Sequence, residues 1–272
     1  WGWGDSADGQ LGTEQTMHYK PVQLATDVVA IATAAQHSLY VTRAGELYAM
    51  GSNVYGQLGT GDREGRTRAV LVGGGFSKVA TGLRFSAAVK QDGSLWTWGN
   101  SERGELGNGQ SGRSVSVLTP TQIGTGFSDV FAAGERAFAV RPTGNQLVGW
   151  GDNLLGQLGL GEKGGLVSSP RLIGDGYATV TAGAGHTIGR LVNGSLRGWG
   201  NNERDQLGIG KASTEALTPT PIPGAYDFVS AGGGNTLFAT ASGQLKARGF
   251  SFPNDTIDFP YDPNAGRENT NP

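Results

Sequence analysis

The chain contains no cysteine among its 272 residues. Disulfides and thiol chemistry are therefore excluded, and the usual zinc sites lose their ligands. Histidine is nearly as scarce, at three residues. No apolar run approaches the roughly 20 residues a membrane-crossing helix needs, so membrane insertion is not expected. Charge of one sign is also missing: the net charge is −2 and the pI about 5.9. Nothing in bulk attracts a phosphate backbone, and no nucleic-acid partner is expected. The absence of cysteine fits an exported or virion protein as well as a cytoplasmic one. Loops rich in Thr, Ser, Asn and Gly tilt the expectation slightly toward an extracellular, cell-surface or virion location.

What is abundant is glycine, at 48 residues, and it is periodic. "WGDSADGQLG" begins at Trp3, "GSNVYGQLGTG" at Gly51, "WGNSERGELGNG" at Trp98, "WGDNLLGQLGLG" at Trp150 and "WGNNERDQLGIG" at Trp199, with a weaker copy at Gly249. The leading glycines Gly4, Gly51, Gly99, Gly151, Gly200 and Gly249 are spaced by 47, 48, 52, 49 and 49 residues. Each period reads as four short strands. A first strand ("VVAIATA", "KVATG", "DVFAAG", "ATVTAG", "FVSAGG") precedes a pair of alternating apolar segments joined by a Gly turn, such as "FSAAV" and "LWTWG" around "KQDG". That pattern predicts a β-hairpin. A fourth strand follows the glycine loop and usually carries proline ("KPVQL", "TPTQI", "SPRLI"), which suits an edge. Four-stranded units repeated at this period are propeller blades, and stacked neighbours cover each other's apolar faces.

The motif G-[DSN]-[NS]-x-x-G-[QE]-L-G-x-G, with A-x-G-x-x-H upstream, resembles the regulator of chromosome condensation repeat over residues 1 to 250. No Trp-Asp dipeptide occurs, so WD repeats fit worse, and kelch glycine pairs appear in only some blades. The resemblance implies an all-β propeller, with a family norm of seven blades. Here residues 1–249 hold about five full blades plus a partial one, since "WGWG" reads as a third strand. Residues 250–272 break the repeat and read as a Pro-rich tail, linker or cap.

The chemistry-bearing residues follow the repeat. A phosphate cradle at the opening loop would need a following helix and usually a lysine, and a strand follows instead. Leu11, Leu58, Leu106, Leu158 and Leu207 are expected as plugs between blades. His37 and His186 lie fourteen residues before a leading glycine, where other blades carry Phe85, Ala137 and Asn235. They are expected to be rings packed inside a blade with one N–H on the backbone. Trp3, Trp98, Trp150 and Trp199 precede leading glycines, and Trp1 and Trp96 lie on the same strand face, as rings between blades. The Gly-Trp-Arg-His-Thr motif of the family's ultraviolet-B receptor is absent. The acidic groups do not match a calcium loop, and no Ser-His-Asp set has local support. No cofactor, metal or catalytic residue is assigned, and an enzyme is not expected.

The expected function is therefore a non-catalytic protein-binding scaffold. Alternatives are a structural or adhesive part of a bacterial surface or phage particle, and an exchange-factor-like regulator of a small GTPase. Within the loops the two residues before the second glycine vary: Ala7-Asp8, Val54-Tyr55, Glu102-Arg103, Leu154-Leu155 and Glu203-Arg204. An apolar pair at an exposed tip marks a contact site, and tyrosine and arginine are favoured anchors; the alternative is that the pairs are merely unconstrained surface. Tyr55, Arg103, Leu154, Leu155 and Arg204 are the candidate protein-binding residues.

Overall fold

A computed structural model of the chain describes residues 1–250, and the expectation of a Pro-rich tail or cap falls almost wholly outside them. The chain opens with a two-stranded antiparallel sheet, β1 (Gly2–Asp5) and β2 (Met17–Val22). Four complete four-stranded blades follow. The first is β3 (Val28–Thr33), β4 (His37–Thr42), β5 (Leu47–Gly51) and β6 (Arg66–Gly73); the second is β7 (Phe76–Thr81), β8 (Phe85–Lys90), β9 (Leu95–Asn100) and β10 (Ser116–Gly124). The third is β11 (Asp129–Ala133), β12 (Arg136–Arg141), β13 (Gln146–Asp152) and β14 (Leu166–Gly174). The fourth is β15 (Tyr177–Ala182), β16 (His186–Leu191), β17 (Leu196–Asn201) and β18 (Glu215–Ile222). A fifth blade has three strands among the described residues, β19 (Phe228–Gly232), β20 (Asn235–Ala239) and β21 (Leu245–Gly249). The only helical turn described is the 3₁₀ segment Thr143–Asn145.

Every blade is a meander of antiparallel neighbours. The β3–β4 turn and the β5–β6 loop therefore leave one end of the sheet, and the β4–β5 hairpin leaves the other. The five first strands surround a central cavity of about 320 Å³, lined by small or apolar residues such as Ala32, Val79, Val130, Ala182 and Ala231. The core lies between blades. Leu39, Val41, Leu47, Ala49 and Leu58 of the first blade enclose Ala88 and Trp98 of the second. Phe138, Leu147 and Leu158 of the third blade belong with Tyr177 and Trp199 of the fourth. Ile188, Leu196 and Leu207 of the fourth meet Phe238 of the fifth. Trp98, Trp150 and Trp199 are fully buried, as expected of rings between blades. Trp1 and Trp3 are not: they are exposed among the described residues.

The outer strands use their prolines at a bulge. Val117 pairs with Gly99 and Thr121 with Thr97, so β10 carries two extra residues around Pro120. β14 and β18 repeat this between Val167 and Arg171 and between Ala216 and Thr220. The bulge frees a carbonyl that the preceding blade takes. Gly61 N–H donates to Leu118 O at 2.9 Å, Gly109 N–H to Ser168 O at 2.8 Å, and Gly161 N–H to Leu217 O at 2.8 Å. A bulge with proline is where a strand loses its ladder at no cost.

Gly59 shows why the loop demands glycine. Its φ is +78°, and a Cβ there would stand 2.9 Å from Trp98 Nε1 and 3.1 Å from Pro120. Gly59→Val is expected to lower the melting temperature by at least about 5 °C, from backbone strain of about 1–3 kcal/mol plus displacement of Trp98. Tyr55→Ala, at the tip of the same loop, should cost less than half of that. Thermal unfolding of the two variants side by side checks both.

Candidate functional site

The loop between the third and fourth strands of each blade carries the repeated residues, and it folds the same way each time. The second polar residue after the leading glycine closes it. Asn53 Oδ1 accepts from Leu58 N–H at 2.9 Å, Asn153 Oδ1 from Leu158 N–H at 3.0 Å, and Asn202 Oδ1 from Leu207 N–H at 3.0 Å. Ser6 and Ser101 do the same with hydroxyls. The glutamine of Q-L-G turns back to the tip: Gln57 Oε1 accepts from Tyr55 N–H, Gln157 Oε1 from Leu155 N–H and Gln206 Oε1 from Arg204 N–H. In the first blade these bonds use the N–H groups of Tyr55 and Leu58. Gly56 and Gly59 N–H are taken as well, by Asn53 O and Gly56 O. A phosphate cradle would need those N–H groups free.

The loop's outward-facing group is a carbonyl. Gln57 O accepts Trp98 Nε1–H at 2.9 Å and Ser86 Oγ–H at 2.7 Å, both from the next blade. Gln157 O accepts Trp199 Nε1–H at 2.9 Å and Thr187 Oγ1–H at 2.8 Å. Glu105 O accepts Trp150 Nε1–H at 2.7 Å, and Gln206 O accepts Thr236 Oγ1–H at 2.7 Å.

The two buried histidines join this system. His37 Nε2 lies 3.0 Å from Ser86 Oγ, and His186 Nε2 lies 2.7 Å from Thr236 Oγ1. Each hydroxyl proton is already given to a loop carbonyl, so each histidine must be the donor through Nε2–H. The rings are buried as expected, but they are not confined to one blade: each histidine reaches across to the next blade. A Ser–His pair at 3.0 Å invites a nucleophilic reading. His37 and Ser86 are both fully buried, so no reacting group can approach them. The equivalent residue of the third blade is Arg136, not Ala137, because Arg136 pairs with Gly151 as His37 pairs with Gly51. The Thr143–Asn145 turn lengthens that hairpin by one residue, which defeats a count along the sequence. Arg136 is fully buried and donates to Gly183 O, Ala184 O and His186 O of the fourth blade.

All five candidate contact residues lie on the face formed by these loops and the turns between first and second strands. Most of them touch a turn of the following blade. The Arg84 guanidinium sits 4.9 Å over the Tyr55 ring. Arg103 Nε lies 3.9 Å from Glu135 Oε2. Leu155 Cδ1 covers Gly185, 2.7 Å from where a Cβ would stand. Arg204 stacks 5.4 Å from the Phe250 ring, and at the equivalent place Asp8 Oδ2 accepts Gln36 Nε2–H. The second tip residue thus varies with its facing turn: tyrosine meets arginine, arginine meets glutamate, leucine meets glycine. Sequence reading missed Arg84 and Glu135, since nothing local connects them to residues 29 and 32 positions away. Leu154 and Leu155 are both exposed, as is Val54 at the position matching Leu154, and Leu83 adds a further exposed apolar group to this face.

Among the described residues, no group of three His, Cys, Asp or Glu side chains could hold a metal ion. No helix among them is long and apolar enough to cross a membrane.

Repeated four-stranded blades clasped by a loop carbonyl define a repeat β-propeller. The model of the RCC1-like domain matches residues 1–255, and the chain belongs to that family. It is 31% identical over 170 residues to the ultraviolet-B receptor UVR8 of Arabidopsis thaliana, covering 59% of this chain and 39% of the receptor. The chain thus spans well under half of that relative's length. The solved structure of human WBSCR16 superposes with a TM-score of 0.80 at 19% identity, over 91% of this chain and 73% of that one. Prp20p of Saccharomyces cerevisiae superposes with a TM-score of 0.73 at 19% identity, over 95% and 64%. These two likenesses concern the fold.

Burial holds the His37 and His186 imidazoles at about 4, well below the usual 6.5. A base whose folded value is depressed keeps its full stability contribution above about 6.5 and loses it as pH falls toward 4. Acidification over that window should cost up to about 3 kcal/mol per histidine. The double variant His37→Gln with His186→Gln should flatten that limb, as urea unfolding at pH 7.5, 6.0 and 4.5 would show.

Proposed function

We propose that this propeller is a non-catalytic protein-binding scaffold whose contact surface is the loop face. One observation carries the reading. The closing side chain Asn53 and the N–H groups of Tyr55, Gly56, Leu58 and Gly59 are committed to the loop's own fold, while Val54, Leu154 and Leu155 are exposed on the same face. Rigid loops lose little freedom on binding, which favours affinity. Tyr55, Arg103, Leu155 and Arg204 then act as the base of the surface, each leaning on a neighbouring blade while its outer edge remains accessible. Prp20p, a relative in fold, has a structure described together with its binding to Gsp1p and histones. That supports recognition of another protein as the activity of this chain.

The test places a photo-crosslinking residue at position 154 on the loop face and, as a control, at position 193 in a hairpin of the opposite face. Cross-links from 154 alone are expected in extracts of the native source. The double change Val54→Ser with Leu154→Ser should leave melting within about 2 °C, since exposed sites cost within about 0.5 kcal/mol each, and should abolish the cross-linked product formed from a third loop-face position, 83. Equal labelling from both faces would remove this surface from consideration.

A further inference from the structure

Glu105 is the one acid at a position where the other four loops carry glutamine: Gln10, Gln57, Gln157 and Gln206. Those amides have two ends to use. The oxygen accepts a tip N–H, and in three of them the nitrogen donates too: Gln10 Nε2 to Ala35 O at 3.4 Å, Gln157 Nε2 to Asp152 Oδ2 at 2.5 Å and Gln206 Nε2 to Asn201 Oδ1 at 2.6 Å. Glu105 keeps the accepting half, taking Arg103 N–H on Oε2 at 2.6 Å. The donating half exists only when its carboxyl carries a proton. The residue matching Asp152 and Asn201 in this blade is Asn100, which is buried with its Nδ2 unpartnered.

The surroundings disfavour the ionised carboxyl. Glu105 is 1% exposed. The charged groups acting on it are Glu135 on the turn of the third blade and Glu102 on its own loop, both acidic, while its carboxylate accepts the backbone N–H of Arg103. Neither cation serves it, since Arg103 leans on Glu135 and Arg113 on Glu102. Its own main-chain carbonyl meanwhile holds Trp150 of the third blade.

We propose that Glu105 is a proton-controlled latch on the joint between the second and third blades. Protonated, it leaves the clasp uncharged, as the glutamines do, with Oε2 still accepting the Arg103 N–H. Ionised, it places an unpaired charge inside the clasp and loosens residues 101–107, including the Arg103 tip. Burial, with Glu135 and Glu102 adding to it, raises its carboxyl to about 7, so the change falls near neutrality. The sign follows from linkage: an acid raised in the folded state destabilises progressively from its ordinary value of 4.5 up to about 7, and no further above.

The experiment needs no partner and is independent of the binding reading. Melting temperature is measured from pH 4.5 to 8.5 for the wild type, Glu105→Gln and Gln157→Glu. The first two should coincide at pH 4.5, and Glu105→Gln should melt at least about 5 °C higher at pH 8. Gln157→Glu should gain a new loss of stability over the same range, because its carboxylate would face Asp152. Hydrogen exchange at the Arg103 and Leu106 amides, corrected for intrinsic rates, should be at least tenfold faster in the wild type than in Glu105→Gln at pH 8, and equal at pH 5. Superimposable wild-type and Glu105→Gln curves, or unchanged exchange at those amides, would overturn the latch. So would failure of Glu105→Gln to fold, since glutamine is the residue the other loops use.

Discussion

One main-chain carbonyl per blade governs the assembly. In the first blade it is Gln57 O, which receives Trp98 Nε1–H and Ser86 Oγ–H from the second. A carbonyl has two lone pairs, and both are used here in a site from which water is excluded. A buried donor left without its acceptor costs about 1–3 kcal/mol, so a blade cannot slide or tilt without exposing or orphaning these groups. The glycine and asparagine pattern of the loop exists to deliver that carbonyl. Asn53 fixes the turn from within, and Gly59 removes the side chain that would strike Trp98.

The joints are built on one plan but differ in their cores. His37 and His186 donate to a hydroxyl that relays to a loop carbonyl, whereas Arg136 caps three carbonyls of the following blade directly. Phe85 fills the corresponding place with hydrocarbon. A repeat protein tolerates this because its stability is close to a sum of joint terms between neighbours. The same independence lets the tip residue and its facing turn change together, as Tyr55 with Arg84 and Arg103 with Glu135 do. It also bears on function: a side chain that varies between repeats has two reasons to do so, a partner outside and a neighbour inside, and at Tyr55 the inner reason is visible.

The sequence by itself determined the repeat, its four strands, the glycine loop and the burial of Leu58 and Trp98. Each is encoded locally, by turn chemistry and by alternation with a period of two. It also placed the five candidate residues at loop tips. Only the tertiary structure decided what faces what. Counting along the chain matched Ala137 with His37, and one extra residue in the Thr143–Asn145 turn made the true counterpart Arg136. The histidines were assigned to their own blade because the hydroxyl each one meets lies 49 or 50 positions away. Trp1 and Trp3 carry the same local signal as Trp98, yet they stand in solvent, since burial requires a neighbouring blade. Glu105 read as one more member of a glutamine column. Its character comes from the three-dimensional enclosure that withholds both water and a cation, and no pattern in the amino-acid order expresses that.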